Sequence, residues 1–219
     1  MTEKLRSRAR WLVVAAALVM IPVYLLPLWS IRLVAPQYPE GMGMYIGISQ
    51  ISGHDEHDLQ NINILNHYIG MRPIVPEEVA ELEIMPWVLG GIIVLGLVAA
   101  LVGTRAAVVA WLVLFMAAGA AGMVDFYLWK HDYGHNLSPD APIKVPGMTY
   151  QPPLIGSKQL LNITASSYPH WGSGLLGIAF LLGLGAVFDG RGRRRARRET
   201  RETSPERVAS GTPRPTPAG

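Results

Sequence analysis

The chain has 219 residues, half of them hydrophobic and only 16 % charged, below the roughly 25 % usual in soluble domains. It contains no cysteine, which excludes disulfides, iron–sulfur clusters, thiolate zinc sites and covalently attached c-type haem. The net charge of +3 says less than the uneven way the charges are spread.

Residues 1–10 form a basic leader with Lys4, Arg6, Arg8 and Arg10, ahead of an uncharged apolar segment, residues 11–30. That segment exceeds the roughly 7–15 residues of a signal-peptide core and no small-x-small cleavage site follows it, so it is read as an uncleaved first span. Pro22 and Pro27 imply a kink or local break within it. Residues 31–86 make a first outer loop, in which Arg32 and Arg72 face eight carboxylates: Glu40, Asp55, Glu56, Asp58, Glu77, Glu78, Glu81 and Glu83. Leu59, Ile62, Leu65 and Ile69 recur there at helical spacing, with Asp55 and Asp58 as candidate N-caps. Residues 77–85, after Pro76, suggest a second short helix.

Residues 87–104 and 106–129 are the second and third spans, each near the ~20 residues a helix needs to cross hydrocarbon. Little more than Thr104-Arg105 separates them, which predicts a tight antiparallel hairpin. Asp125 is the one acid inside a span, a costly placement unless it is paired; Lys130 and Arg72 are the cations expected to reach it. Residues 130–170 form a second outer loop and residues 171–188 the fourth span. Gly172, Gly174, Gly177, Gly183 and Gly185 in that span allow close helix packing. The tail, residues 189–219, is Arg-rich and then rich in Thr, Pro, Ser and Gly; it is expected to be disordered, with its arginines on anionic headgroups and not on nucleic acid.

The two outer loops show a faint echo. Pro39-Glu40-Gly41-Met42-Gly43-Met44-Tyr45 and a later Asn63-Ile64-Leu65-Asn66 correspond to Pro146-Gly147-Met148-Thr149-Tyr150 and Gln159-Leu160-Leu161-Asn162. A duplicated unit of span, loop with a short Leu-Asn helix, and span is one origin for this. The fold class expected is therefore an all-α membrane protein. Its four transmembrane helices form two helix–loop–helix hairpins, with structured extracytoplasmic loops and a disordered cytoplasmic tail. Lys and Arg gather in the leader, at Arg105 and in the tail, so the positive-inside rule puts both termini in the cytoplasm of a multi-pass membrane protein.

All six histidines, His54, His57, His67, His131, His135 and His170, fall in or beside the outer loops. Met42, Met44, Met71, Met85 and Met148 do so too. Imidazole and thioether together suit copper. The candidate metal residues are His67 with Met71 four positions on, His131 with His135 four positions on, and Met42, Met44 and Met148. Each has a plainer reading: His67 as a hydrogen-bonding loop residue, the two methionines of 42–44 as buried apolar surface. The His131/His135 pair falls beside an interfacial belt of Tyr127, Trp129 and Tyr133. Haem b is disfavoured, because no histidine lies within a span.

Three strings, Ile62-Asn63-Ile64-Leu65-Asn66-His67-Tyr68-Ile69-Gly70-Met71, Asp132-Tyr133-Gly134-His135-Asn136-Leu137 and Gln151-Pro152-Pro153-Leu154-Ile155-Gly156, resemble the NosB-like proteins. These are small polytopic membrane proteins encoded among nitrous-oxide-reductase accessory genes. The resemblance spans roughly residues 11–188. It implies a place in the cytoplasmic (inner) membrane of a bacterium or archaeon and a role in denitrification, near maturation of, or electron supply to, a periplasmic copper enzyme, and carries over no catalytic residue. No P-loop, HExxH or Ser-His-Asp context is present, so an enzyme is not expected. The reading is an accessory or assembly protein whose His/Met surface faces outward. Its expected partners are membrane lipid and periplasmic or membrane redox proteins, with oligomerisation left open. A metal-free structural subunit docking a redox complex is the alternative, ahead of a small-solute or ion transporter.

Overall fold

The computed structural model describes residues 4–189, so the expected disordered tail lies, apart from Asp189, outside the described residues. Helix α1 (Ser7–Val19) ends where Pro22 removes a donor and crowds the preceding turn, and a 3-10 turn over Ile21–Tyr24 continues it. At ~1.5 Å per α-helical and ~2.0 Å per 3-10 residue this rod is ~29 Å long, matching the ~30 Å hydrocarbon thickness. The first apolar run is thus not helical to residue 30, for its last two residues begin strand β1 (Trp29–Ala35).

Strand β2 (Tyr38–Ile46), β3 (Ile51–Gly53) and helix α2 (Asp58–Ile69) follow. Helix α2 closes on Gly70 at φ 79°, whose left-handed backbone lets the Met71 N–H bond the Asn66 carbonyl at 2.9 Å. After a 3-10 turn at Pro76–Glu78 come α3 (Ala80–Val102) and α4 (Arg105–His135). Strands β4 (Gly156–Leu160) and β5 (Ile163–Pro169) lead straight into α5 (Trp171–Phe188).

The expected all-α class is corrected by a five-stranded antiparallel sheet ordered β3-β2-β1-β5-β4. Its strands come from both outer loops, and β1 pairs with β5 from Trp29↔Pro169 to Val34↔Thr164. The first and last helices, α1 and α5, therefore run on as a paired strand couple. Cross-bonds seal the junction: His170 N–H to Leu28 O, Gly172 N–H to Pro27 O, and Ser173 Oγ to Leu28 O at 2.7 Å. The internal echo also dissolves. Asn63 to Asn66 lie in α2, whereas Gln159 to Asn162 form the β4–β5 turn, where Leu161 has φ 56°.

Two apolar cores result. The first lies within the bundle, where α1, α3, α4 and α5 contribute Val13, Ile92, Trp111 and Ala179 among others. Trp111 donates to the Ile92 carbonyl at 2.9 Å, giving its indole N–H a partner where lipid offers none. A Cβ at Gly96 or at Gly183 would press on the Trp111 ring, so both glycines make room for it. The second core lies under the sheet. Trp29, Ile31, Met42 and Met44 point down from the strands onto Ile62 of α2 and onto Phe126, Trp129 and Tyr133 of α4. Helix α4 can serve both cores because its 31 residues span ~46 Å, about 16 Å more than the hydrocarbon thickness.

Among the described residues four helices, those of the bundle, are each long and apolar enough to cross a membrane. The α3–α4 turn sits beside the N-terminal residues, with the Leu5 N–H on the Gly103 carbonyl at 2.7 Å and Arg10 on the Ala100 and Leu101 carbonyls. The sheet lies at the opposite end.

Candidate functional site

The structure does not gather the seven candidate metal residues at one place. Met42 and Met44 are 2 % and 5 % exposed. Strand alternation turns them inward, while Gly41 and Gly43 face outward beneath the side chains of Arg32 and His54. The Gly-Met-Gly-Met run is a strand with two covered glycines, so its thioethers belong to the core and not to an outward surface. His67 is exposed on α2 with its ring 6.1 Å from that of Tyr68, and Met71 is half-buried below the sheet. Met148 is half-buried in a turn, its N–H on the Val145 carbonyl.

His131 and His135 do come together. One helical turn apart at the exposed end of α4, their rings stack at 3.9 Å between centroids and 14° between planes. His135 Nδ1 lies 2.9 Å from the His131 carbonyl oxygen. A carbonyl only accepts, so Nδ1 carries a proton, and in the neutral ring Nε2 is then the nitrogen with a lone pair, the tautomer a metal-binding imidazole needs. Two nitrogens sharing one tetrahedral ion at ~2.0 Å stand ~3.3 Å apart with their in-plane lone pairs converging on it, so the near-parallel rings would have to turn out of their stack to share one. Among the described residues no group of three or more His, Asp or Glu is placed to hold a metal, so the pair stands as two ligands.

Of the remaining histidines, His170 has its ring 5.1 Å from that of Tyr45 and a buried Nδ1 without a hydrogen-bond partner among the described residues. His54 lies across Gly43, 3.0 Å from Ser30 Oγ and ring-to-ring with Tyr45 at 4.1 Å. Burial holds its imidazole below the ordinary value; Asp58 opposes this and Arg32 adds to it. His57 occupies the cap position of α2. The expected N-cap Asp58 instead accepts the Gly43 N–H at 2.8 Å through its carboxylate, tying helix to sheet. The pairing expected for Asp125 is also corrected. Arg72 pairs with Asp132 and lies over the Tyr133 ring, while Lys130 donates to the Pro153 carbonyl at 2.7 Å.

Lys130 and Tyr150 escaped the sequence reading as a pair. Lys130 is 1 % exposed, and the buried Tyr150 hydroxyl has no hydrogen-bond partner. Both line a cavity of about 60 Å³ beneath the sheet, with Met44 and Met71 on its wall. An ammonium there opposes a cuprous ion at those two thioethers. The only signal in the sequence was a lysine close after a span, which reads equally well as an interfacial anchor. No protein-family model matches the chain, and no curated protein is significantly similar to it.

Proposed function

We propose that this protein is a membrane-anchored accessory factor that serves a copper enzyme outside the cytoplasm, taking or passing the metal at His131 and His135. The stacked, exposed imidazole pair, with the His135 tautomer set by a backbone carbonyl, is the observation that carries the reading. Two imidazoles accept either oxidation state of copper. A site with only two protein ligands leaves positions for a third donor from a partner, which suits transfer better than storage.

Sidedness supports the same reading. Lys4, Arg6, Arg8, Arg10 and Arg105 gather at the end of the bundle opposite the sheet, so the positive-inside rule directs the cap away from the cytoplasm. The strings that resemble NosB-like proteins make nitrous-oxide reductase, or an enzyme like it, the proposed client. Copper binding to the purified protein in detergent is the test, by calorimetry for the cupric ion and chelator competition for the cuprous ion. One equivalent bound by the parent chain and lost in His131→Ala and His135→Ala is expected. Unaltered binding in both variants would overturn it.

A metal-free docking subunit is the second reading. It is favoured by the inward turn of Met42 and Met44 and by a polar outer sheet face bearing Ser30, Arg32, Ser166 and Tyr168. Copper-free protein that crosslinks through this face to a redox partner would select it. For sidedness, the cysteine-free chain allows single cysteines at positions 54 and 104; labelling of position 104 alone from outside would reverse the orientation.

A further inference from the structure

The cavity beneath the sheet is lined mainly by apolar side chains, among them Met44, Ile62, Met71 and Trp129, and its wall includes Lys130 and Tyr150. Tyr150 is 4 % exposed and its hydroxyl has no partner. Lys130, 1 % exposed, donates to the Pro153 carbonyl and sits 4.7 Å above the Phe126 ring, and no carboxylate pairs with it among the described residues. A buried ammonium without a counter-anion is costly, as is a buried hydroxyl without an acceptor. Both residues are held firmly in place. The Tyr150 N–H bonds the Gly134 carbonyl at 2.9 Å, and Gly134 lies so close to the Gln151 backbone that no Cβ fits between them.

We propose that this cavity is a binding site for a small monocarboxylate, its oxygens meeting Lys130 and Tyr150 and its hydrocarbon part lying among Met44, Ile62, Met71 and Trp129. Donors are in surplus in this wall, so the ligand must supply acceptors. The ammonium favours an anion over a neutral molecule and excludes a cation. A volume of about 60 Å³ at ~15 Å³ per water-sized position holds about four non-hydrogen atoms. That fits a two- or three-carbon acid. A longer chain must leave part of itself outside. The proposal is independent of copper at His131 and His135.

The test is calorimetric titration of the full chain in a non-ionic detergent with acetate, propionate, hexanoate and octanoate, each against the alcohol of equal length. Saturable carboxylate binding at least tenfold tighter than the matched alcohol is expected. Tyr150→Phe, which keeps the packing, should weaken it about tenfold by removing one hydrogen bond to a charged acceptor. Lys130→Met should abolish it, and circular dichroism of that variant checks that the fold survives. Affinity that peaks at acetate or propionate identifies a free small acid; affinity rising through octanoate identifies a lipid-derived fatty acid whose chain leaves the cavity. Alcohols binding as tightly as acids, no binding by the parent chain, or full affinity in Tyr150→Phe would each overturn the proposal.

Discussion

Asp58 offers a direct measure of how firmly the cap is tied together. Its carboxylate, 7 % exposed, accepts the buried Gly43 N–H of β2 at 2.8 Å and, more weakly, the Asp55 N–H at 3.4 Å. It also stands in the first turn of α2, where the helix dipole favours an anion. Asp58→Ala removes a hydrogen bond to a charged acceptor, at ~1.5–3 kcal/mol, and strands a buried donor. Adding ~0.3–1 kcal/mol for the dipole gives about 2–4 kcal/mol. Asp58→Asn keeps an acceptor oxygen and loses the charge, so about half that loss is expected. At ~2–4 °C per kcal/mol for a chain of this size, Asp58→Ala melts roughly 4–16 °C early. Near-UV circular dichroism during heating in detergent reads the transition through the aromatic side chains of the cap. An Asp58→Ala melt within about 1 °C of the parent would refute the claim that this carboxylate holds α2 to the sheet.

Three further outcomes are expected. His54 should titrate below its ordinary ~6.5 when followed by NMR, because burial disfavours its charged form. Its contribution to stability is then present above pH ~6.5, falls as the unfolded chain protonates below that value, and levels off beneath the folded-state pKa. Gly43→Ala should destabilise the cap by ~1–3 kcal/mol, since its Cβ would strike the His54 ring and come within 2.8 Å of the Ile31 carbonyl. His54→Ala in the same chain should relieve only part of the loss, a partial rescue that a double-mutant melt measures. Arg72→Ala should cost less than ~1 kcal/mol in the same melting assay, because the Arg72 and Asp132 side chains are about half exposed.

The spans were legible because twenty-residue apolar runs have few other uses. The sheet was not, and the reasons differ by strand. In β1 the alternation Trp29, Ile31, Leu33 inward and Ser30, Arg32 outward has the period of a strand, but it abuts an apolar run that reads as helix. In β2 the outward positions are glycines, so period two appears as Gly-Met-Gly-Met and not as polar against apolar. Strand β5 carries Ser166, Ser167 and Tyr168, too polar to announce a core strand, because Ser167 is satisfied internally by Trp29 at 2.8 Å and Leu154 at 3.1 Å. At the candidate site, His131 and His135 meet because α4 runs on to His135, past the span end at residue 129 and into what reads as loop, so that their i, i+4 spacing becomes one helical turn. Met42, Met44 and Met148 were grouped only by lying in the same loops, and loop membership fixes neither facing nor distance; His67 and Met71 were paired by i, i+4 spacing, but α2 ends at Ile69 and the left-handed Gly70 puts Met71 off the helix. Lys130 and Tyr150, twenty positions apart, meet one cavity through the return of the chain past Gly134, which no local pattern encodes.

The pairing of β1 with β5 bears on how the protein is made. While the ribosome still holds the later spans, β1 has β2 on one edge and nothing on the other. Its partner begins at Ile163, and at ~5–20 residues per second of synthesis the wait is on the order of ten seconds. Through that interval the nascent cap presents an open strand edge, the kind that captures stray chains. Its completion coincides with insertion of α5, so a ribosome that stalls before Trp171 leaves an unfinished sheet at the membrane surface, a natural mark for quality-control proteases.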